Sequence, residues 1–167
     1  HNLGFNSNNC VDIKNIKVSK IPVLVHAPSE KMIKGTKYVR SAIKKLRNKN
    51  IDFVYKELTN VPNNKAQDIY KDADIIIDQF LLGGIGTLAF EGMGYGKVVV
   101  GYIIPEAIKR FMPDCPVYNS SIEDLPENLE ELILNPSLRL ELGIKGVPST
   151  ILFKRGVEVA RLVGYPG

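Results

Sequence analysis

The chain has 167 residues, enough for one full hydrophobic core, and its apolar fraction of 44% and charged fraction of 24% exclude disordered and collagen-like classes. No run approaches the apolar length of a membrane-crossing helix and no signal-peptide pattern opens the chain, so neither a transmembrane segment nor a leader is expected. A formal charge of +4 is mild, and two cysteines, Cys10 and Cys115, without metal-ligand spacing point to a reducing compartment.

Residues 1–18, rich in Asn and without periodicity, read as an irregular arm or interdomain linker, and residues 19–167 as one domain. The first residue is His rather than Met, which leads us to expect an excised fragment of a longer protein. Ile21 to Ala27 (IPVLVHA) is an apolar, β-branched run that predicts a strand. A polar loop, PSEKMIKG, leads from it into TKYVRSAIKKL, where Val39, Ala42, Ile43 and Leu46 recur at helical spacing. Positions 31 to 49 carry Lys31, Lys34, Lys37, Arg40, Lys44, Lys45, Arg47 and Lys49 with no acid. That stripe suits an anionic partner or is simply a solvated helix face.

Residues 51–58 predict a second strand, followed by a short helix around Lys65 to Lys71. Residues 73–79 (ADIIIDQ) predict a third, buried on both faces because its apolar centre is uninterrupted. A glycine-rich loop then leads to a helix over Thr87 to Tyr95 and a fourth strand over Lys97 to Tyr102. Helical turns at Pro105 to Phe111, a short strand at Pro116 to Asn119, helical segments around Leu129 and from Pro136, and a last helix from about Thr150 to Val163 complete the series. Strands alternating with helices predict an α/β fold, an open parallel sheet with helices on both faces. In such folds ligands lie at the carboxyl ends of the strands, which selects loops 26–36, 58–64 and 79–88.

In the first loop, Lys31 and Lys34 can meet a phosphate as point charges, and Thr36 is placed to cap the helix behind it. The pattern is neither a Walker loop nor the dinucleotide fingerprint. In the third loop, Gly83, Gly84 and Gly86 either form a tight turn or let the amides of Gly86, Thr87 and Leu88 approach an anion. Glu91, one turn further on, is either near the surface or held for a partner such as a pair of sugar hydroxyls. Asp78 and Gln79 close the third strand toward the crevice, or cap nearby amides. His26 ends the first strand as a crevice residue or as a satisfied core histidine. Gly92, Gly94 and Gly96 point to close packing of the helix on the sheet. The histidines and cysteines have no zinc spacing, no serine sits in a nucleophile elbow, and no nucleic-acid module is present.

The segments His26 to Thr36 (HAPSEKMIKGT) and Asp78 to Val100 (DQFLLGGIGTLAFEGMGYGKVVV), in that order, resemble the C-terminal, donor-binding domain of the group 1 nucleotide-sugar glycosyltransferases. The similarity runs from about Ile21 to Val163. It implies a Rossmann-like domain, the C-terminal half of a two-domain GT-B enzyme, with residues 19–167 binding a nucleotide sugar. By that resemblance Lys34 and Lys31 contact the donor diphosphate, Gly84, Gly86, Thr87 and Leu88 offer backbone amides to it, and Glu91 binds the ribose hydroxyls. His26 joins them in the binding set, and Asp78 and Gln79 are candidate sugar or leaving-group contacts. The family's first acid falls at Gly83, so the carboxylate contact to the transferred sugar is missing.

The implied reaction is hexose transfer from a UDP-sugar or GDP-sugar to an acceptor sugar or glycolipid, with retention and without a required metal or other cofactor. The acceptor would be bound by a missing N-terminal domain, so this chain alone is expected to transfer little or nothing. The resemblance implies a cytoplasmic enzyme at the inner face of the membrane, peripherally associated when full length, in envelope polysaccharide or glycolipid synthesis, with no nucleic-acid partner. A nucleotide-sugar epimerase domain and a non-catalytic nucleotide-binding module are the alternatives.

Overall fold

A computed structural model describes residue 11 and residues 13–111, 113–147, 150–154 and 157–162, with side chains through residue 147 except at 13, 63 and 111. Residues 1–10, and with them His1, Cys10 and most of the expected arm, lie outside the described residues. The elements run β1 (Val23–His26), α1 (Lys31–Lys34), α2 (Thr36–Asn48), β2 (Val54–Glu57), α3 (Asn63–Asp72), β3 (Ile75–Ile77), α4 (Thr87–Gly94), β4 (Val98–Gly101), α5 (Pro105–Phe111), β5 (Tyr118–Asn119), α6 (Leu125–Leu134), α7 (Pro136–Gly146), β6 (Thr150–Lys154) and β7 (Val157–Leu162).

The first five strands form one parallel sheet in the order β2-β1-β3-β4-β5. Each parallel crossover needs a helix, and the period-2 alternation of the strands decides which side chains meet which helices. Leu24, Ile75, Ile77, Val98 and Val100 point to one face, where Val39, Ala42, Ile43 and Leu46 of α2 and Leu125, Leu129, Leu132 and Ile133 of α6 cover them. Val25, Ile76 and Val99 point to the other, against Ala66 and Tyr70 of α3 and Leu88, Ala89 and Met93 of α4. Both faces are dry, which is why β3 is three consecutive isoleucines, all fully buried. Burying each of them stabilises the fold by about 1.5–3 kcal/mol before entropy is charged. Gly92 lets α4 lie flat on this surface: a Cβ there would meet Ile76 Cδ1 at 2.8 Å and Val99 Cγ2 at 3.1 Å.

Polar groups tie the segment that enters β1 to its neighbours. Asp74, at the entry to β3, accepts the amides of Ser19 and Val23, each at 2.9 Å. Arg139 of α7 is 1% exposed and donates from Nη1 to the carbonyls of Leu132 and Ile133 at the end of α6, each at 2.7 Å, and from Nη2 to the carbonyl of Ser19. The described part of the N-terminal segment is not loose: the amide of Val11 donates to the carbonyl of Gly94 at 2.9 Å, ahead of a 3-10 turn at Ile13–Asn15.

One element differs in kind from the sequence reading. In place of a last helix from Thr150 to Val163, β6 and β7 pair antiparallel in a sheet of their own, with a register shift between Leu152 and Phe153; Val163 lies outside the described residues. The run from Ile151 to Phe153 and the alternation of Val157 and Val159 with Glu158 and Ala160 have the period and the β-branched content of strands.

Candidate functional site

In the order 2-1-3-4-5 the chain reverses direction across the sheet between β1 and β3, and the crevice beyond their carboxyl ends is where open α/β folds take ligands. The segments that leave these two strands, residues 27–35 and 78–86, bring together five of the residues singled out from the sequence. α1 is a single turn that stops at Gly35, whose φ of +74° only glycine adopts cheaply. This break sends Lys34 inward, its side chain 12% exposed, while Lys31 stays 47% exposed. Lys34 Nζ donates to Asp78 Oδ1 and to Gln79 Oε1, each at 2.8 Å. The same two residues hold the glycine loop: Gln79 Nε2 donates to the carbonyl of Gly84 at 2.7 Å, and the amide of Gly86 donates to Asp78 Oδ2 at 2.8 Å.

Thr87 and Leu88 then open α4, and their amides lack an intrahelical acceptor, as first-turn amides do. Among the described residues the crevice therefore offers an ammonium with its third N–H uncommitted and a helix N-terminus beside it. Asp78 and Gln79, expected as contacts to a sugar, have their side-chain polar groups engaged by the protein, and both residues are buried.

The other residues go elsewhere. Lys31 Nζ lies 3.8 Å from Glu57 Oε1, at the carboxyl end of β2, on the far side of β1 from the Lys34 network. Glu57 also takes both arms of Arg40, Nε at 2.8 Å and Nη2 at 2.6 Å, and this guanidinium holds its carboxyl below the usual carboxylate range. A cleft of about 340 Å³ between α1 and α2 is lined by Lys31, Met32, Thr36, Lys37, Arg40 and Leu81. Reasoning on sequence did not single out Glu57; its place at the end of a crevice-facing strand, next to a flagged loop, was the available signal.

His26 is fully buried. Its Nδ1 is 2.9 Å from the carbonyl of Ile77, which can only accept, so Nδ1 carries the proton. Nε2 then accepts from Thr36 Oγ1 at 3.0 Å. Burial pushes this imidazole below its ordinary range, so it is neutral, and neither nitrogen is offered to a ligand. The Thr36 hydroxyl is spent on His26 rather than on capping: α2 begins after Gly35 with no side-chain cap.

Glu91 sits in the second turn of α4, away from the Lys34 network. Its carboxyl is partly buried, has no hydrogen-bond or ion-pair partner among the described residues, and is raised above its ordinary range by that burial. Tyr70 of α3 stands near it, its phenol pushed up to about 12 by burial and then by the charge of Glu91. Gly83, at φ +66°, accepts the amide of Ile104 at 3.1 Å.

No protein-family model and no curated protein matches the chain. Solved structures do. The C-terminal domain of a glycosyl transferase group 1 family protein (LpcC) from Francisella tularensis is 17% identical, with a TM-score of 0.53 over 82% of this chain and 94% of that one. WaaG, a glycosyltransferase involved in lipopolysaccharide biosynthesis, is 15% identical with a TM-score of 0.53 over 80% of this chain and 43% of its own. A point mutant of S. aureus TarM, solved with fondaparinux, alpha-GlcNAc-glycerol and UDP, is 18% identical with a TM-score of 0.52 over 83% and 34%. At these identities the likeness is one of fold: the chain has the fold of the C-terminal domain of group 1, GT-B glycosyltransferases, and spans less than half the length of WaaG and TarM.

Proposed function

We propose that this chain is the donor-binding domain of a glycosyltransferase that moves a hexose from a nucleoside diphosphate sugar to an acceptor held by a second domain. The observation that carries the reading is the meeting of the Lys34 ammonium with the N-terminus of α4 at the β1/β3 crossover. The fold supports it, since the similar structures come from glycosyltransferases.

In this reading Lys34 and the backbone amides of Gly84, Gly86, Thr87 and Leu88 take the diphosphate and meet the charge that grows on it as its bond to the sugar breaks. A phosphate is already an acidic leaving group, so no paired carboxylates are needed to protonate it. Glu91, partnerless and one turn along α4, accepts hydrogen bonds from the ribose hydroxyls. Lys31 reaches the outer end of the diphosphate on leaving Glu57, a separation already at 3.8 Å. We take the reaction to be retaining and independent of metal, and the acceptor to be an envelope sugar or glycolipid met at the inner face of the membrane. No helix among the described residues is long and apolar enough to cross a membrane.

Calorimetry of UDP, GDP, ADP and UDP-glucose with this chain, and with Lys34→Ala and Glu91→Ala, tests the reading. One nucleoside diphosphate is expected to bind saturably and to weaken in both variants. Binding that neither substitution changes refutes the placement of the site. Full transfer activity by this chain alone refutes the need for a second domain.

A further inference from the structure

The crevice end of β3 carries a carboxylate where the ligand proposed above brings its own negative charge. Asp78 accepts from Lys34 Nζ through one oxygen and from the Gly86 amide through the other, each at 2.8 Å, with its side chain 3% exposed. Those two donors are ones a phosphate at this helix N-terminus would use. The contact is tight: a Cβ built on Gly86 would lie 2.7 Å from Lys34 Nζ and 2.8 Å from both Asp78 oxygens. Loop backbone, ammonium and carboxylate thus touch, with no space for a phosphate between them. Charge is largely balanced as well, three cations facing two carboxylates. Lys34 is matched by Asp78, Lys31 and Arg40 are turned to Glu57, and His26 has both nitrogens hydrogen-bonded in the core.

We propose that Asp78 is an internal counter-anion of the diphosphate cradle. It holds the place of the ligand phosphate in the empty site, competes with it for Lys34 and the Gly86 amide, and keeps affinity for the free nucleoside diphosphate low, so that this product leaves after transfer. The inference rests on reading the site as a diphosphate cradle. The sign of the effect distinguishes the two roles open to Asp78. An aspartate that merely aimed Lys34 at the ligand would weaken binding when removed; a counter-anion strengthens it.

The experiment is calorimetry of inorganic pyrophosphate, UDP, GDP and ADP with the wild-type chain, Asp78→Asn and Asp78→Ser at low ionic strength, with circular dichroism and thermal melting as folding checks. Both uncharged variants are expected to melt below wild type, because the Lys34 and Gly86 donors lose an ionised acceptor. They are nevertheless expected to bind pyrophosphate about tenfold tighter or more, the order set by removing one unit charge beside an anion. Equal or weaker binding by folded variants overturns the proposal, and so does failure of both variants to fold, which would make Asp78 a requirement of the fold. Tighter pyrophosphate binding without preference for any nucleoside diphosphate keeps the counter-anion and discards the nucleotide reading. Nucleotide binding that the substitutions leave unchanged does the reverse. No binding of any probe to any of the three proteins overturns both.

Discussion

Gly83 stands where the resemblance expects a glutamate, and replacing it is expected to destabilise the chain rather than restore a sugar contact. Two costs can be worked out. At φ +66° an L-residue pays about 1–2 kcal/mol for the left-handed backbone. A Cβ would also lie 2.6 Å from Ile104 Cγ1 and 2.8 Å from Cδ1. Ile104 is 45% exposed and can swing outward, so this overlap adds about 1 kcal/mol, the low end of overpacking costs. Gly83→Ala should therefore lose about 2–3 kcal/mol, and Gly83→Glu a similar amount. Urea denaturation of Gly83→Ala, Ile104→Ala and the double variant separates the two costs: Ile104→Ala should relieve the steric part, about 1 kcal/mol, and leave the backbone part in place. A Gly83→Ala chain within about 0.5 kcal/mol of wild type would refute the reasoning, because surface substitutions at unstrained positions fall in that range. So would a double variant that recovers the entire loss, since that would leave no backbone strain. Donor binding by Gly83→Glu should not exceed that of wild type, because the carbonyl of Gly83 stays tied to the amide of Ile104.

The remaining predictions concern buried polar groups. Arg139→Met should cost about 3 kcal/mol or more in urea denaturation, as three carbonyl acceptors lose a charged donor in a site 1% exposed; a loss below about 1 kcal/mol would show that water replaces the guanidinium there. The carboxyl of Glu91 is raised in the folded state, so its contribution to stability is present below the ordinary carboxylate range and is lost as pH rises through the folded value. Glu91→Gln should therefore be more stable than wild type at neutral pH, converge with it in acid, and bind nucleoside diphosphate more weakly; an unchanged pH dependence of stability in the variant would contradict the assignment. The imidazole of His26 is depressed by burial, which gives the opposite slope: stability falls as pH drops through the ordinary histidine range toward the folded value, because the unfolded chain takes up the proton first. His26→Asn should flatten melting temperature between about pH 7.5 and 5.5, one unit either side of the ordinary histidine value, and a slope equal to wild type would show that another group is responsible.

Much of this fold was legible because hydrophobic period is a local property. The alternation in Leu24-Val25, Ile75-Ile76-Ile77 and Val98-Val99-Val100, and the helical spacing of Val39, Ala42, Ile43 and Leu46, each follow from a few consecutive residues, and the structure buries every one of them. The pattern of strands and helices was enough to imply a parallel sheet, and the sheet implied a crevice at its carboxyl edge, which selects the loops at 26–36, 58–64 and 79–88 as candidates. The same reasoning misjudged residues 150–162, where charged residues interrupt a short period-2 pattern and helical and strand readings compete.

What the sequence by itself determined, then, is the layered α/β scaffold and the neighbourhood of its candidate site. The pairing within that neighbourhood was decided only by the tertiary structure. Lys34 and Asp78 are 44 residues apart, and nothing local says that the ammonium turns inward at Gly35 to meet Asp78 and Gln79 while Lys31 turns to Glu57. His26 looked equally suited to the crevice and to the core until the sheet set Ile77 beside it and α2 set Thr36 above it. Side-chain partnership depends on register between strands and on the angle at which helices cross them, and these are properties of the whole packed chain rather than of any one segment.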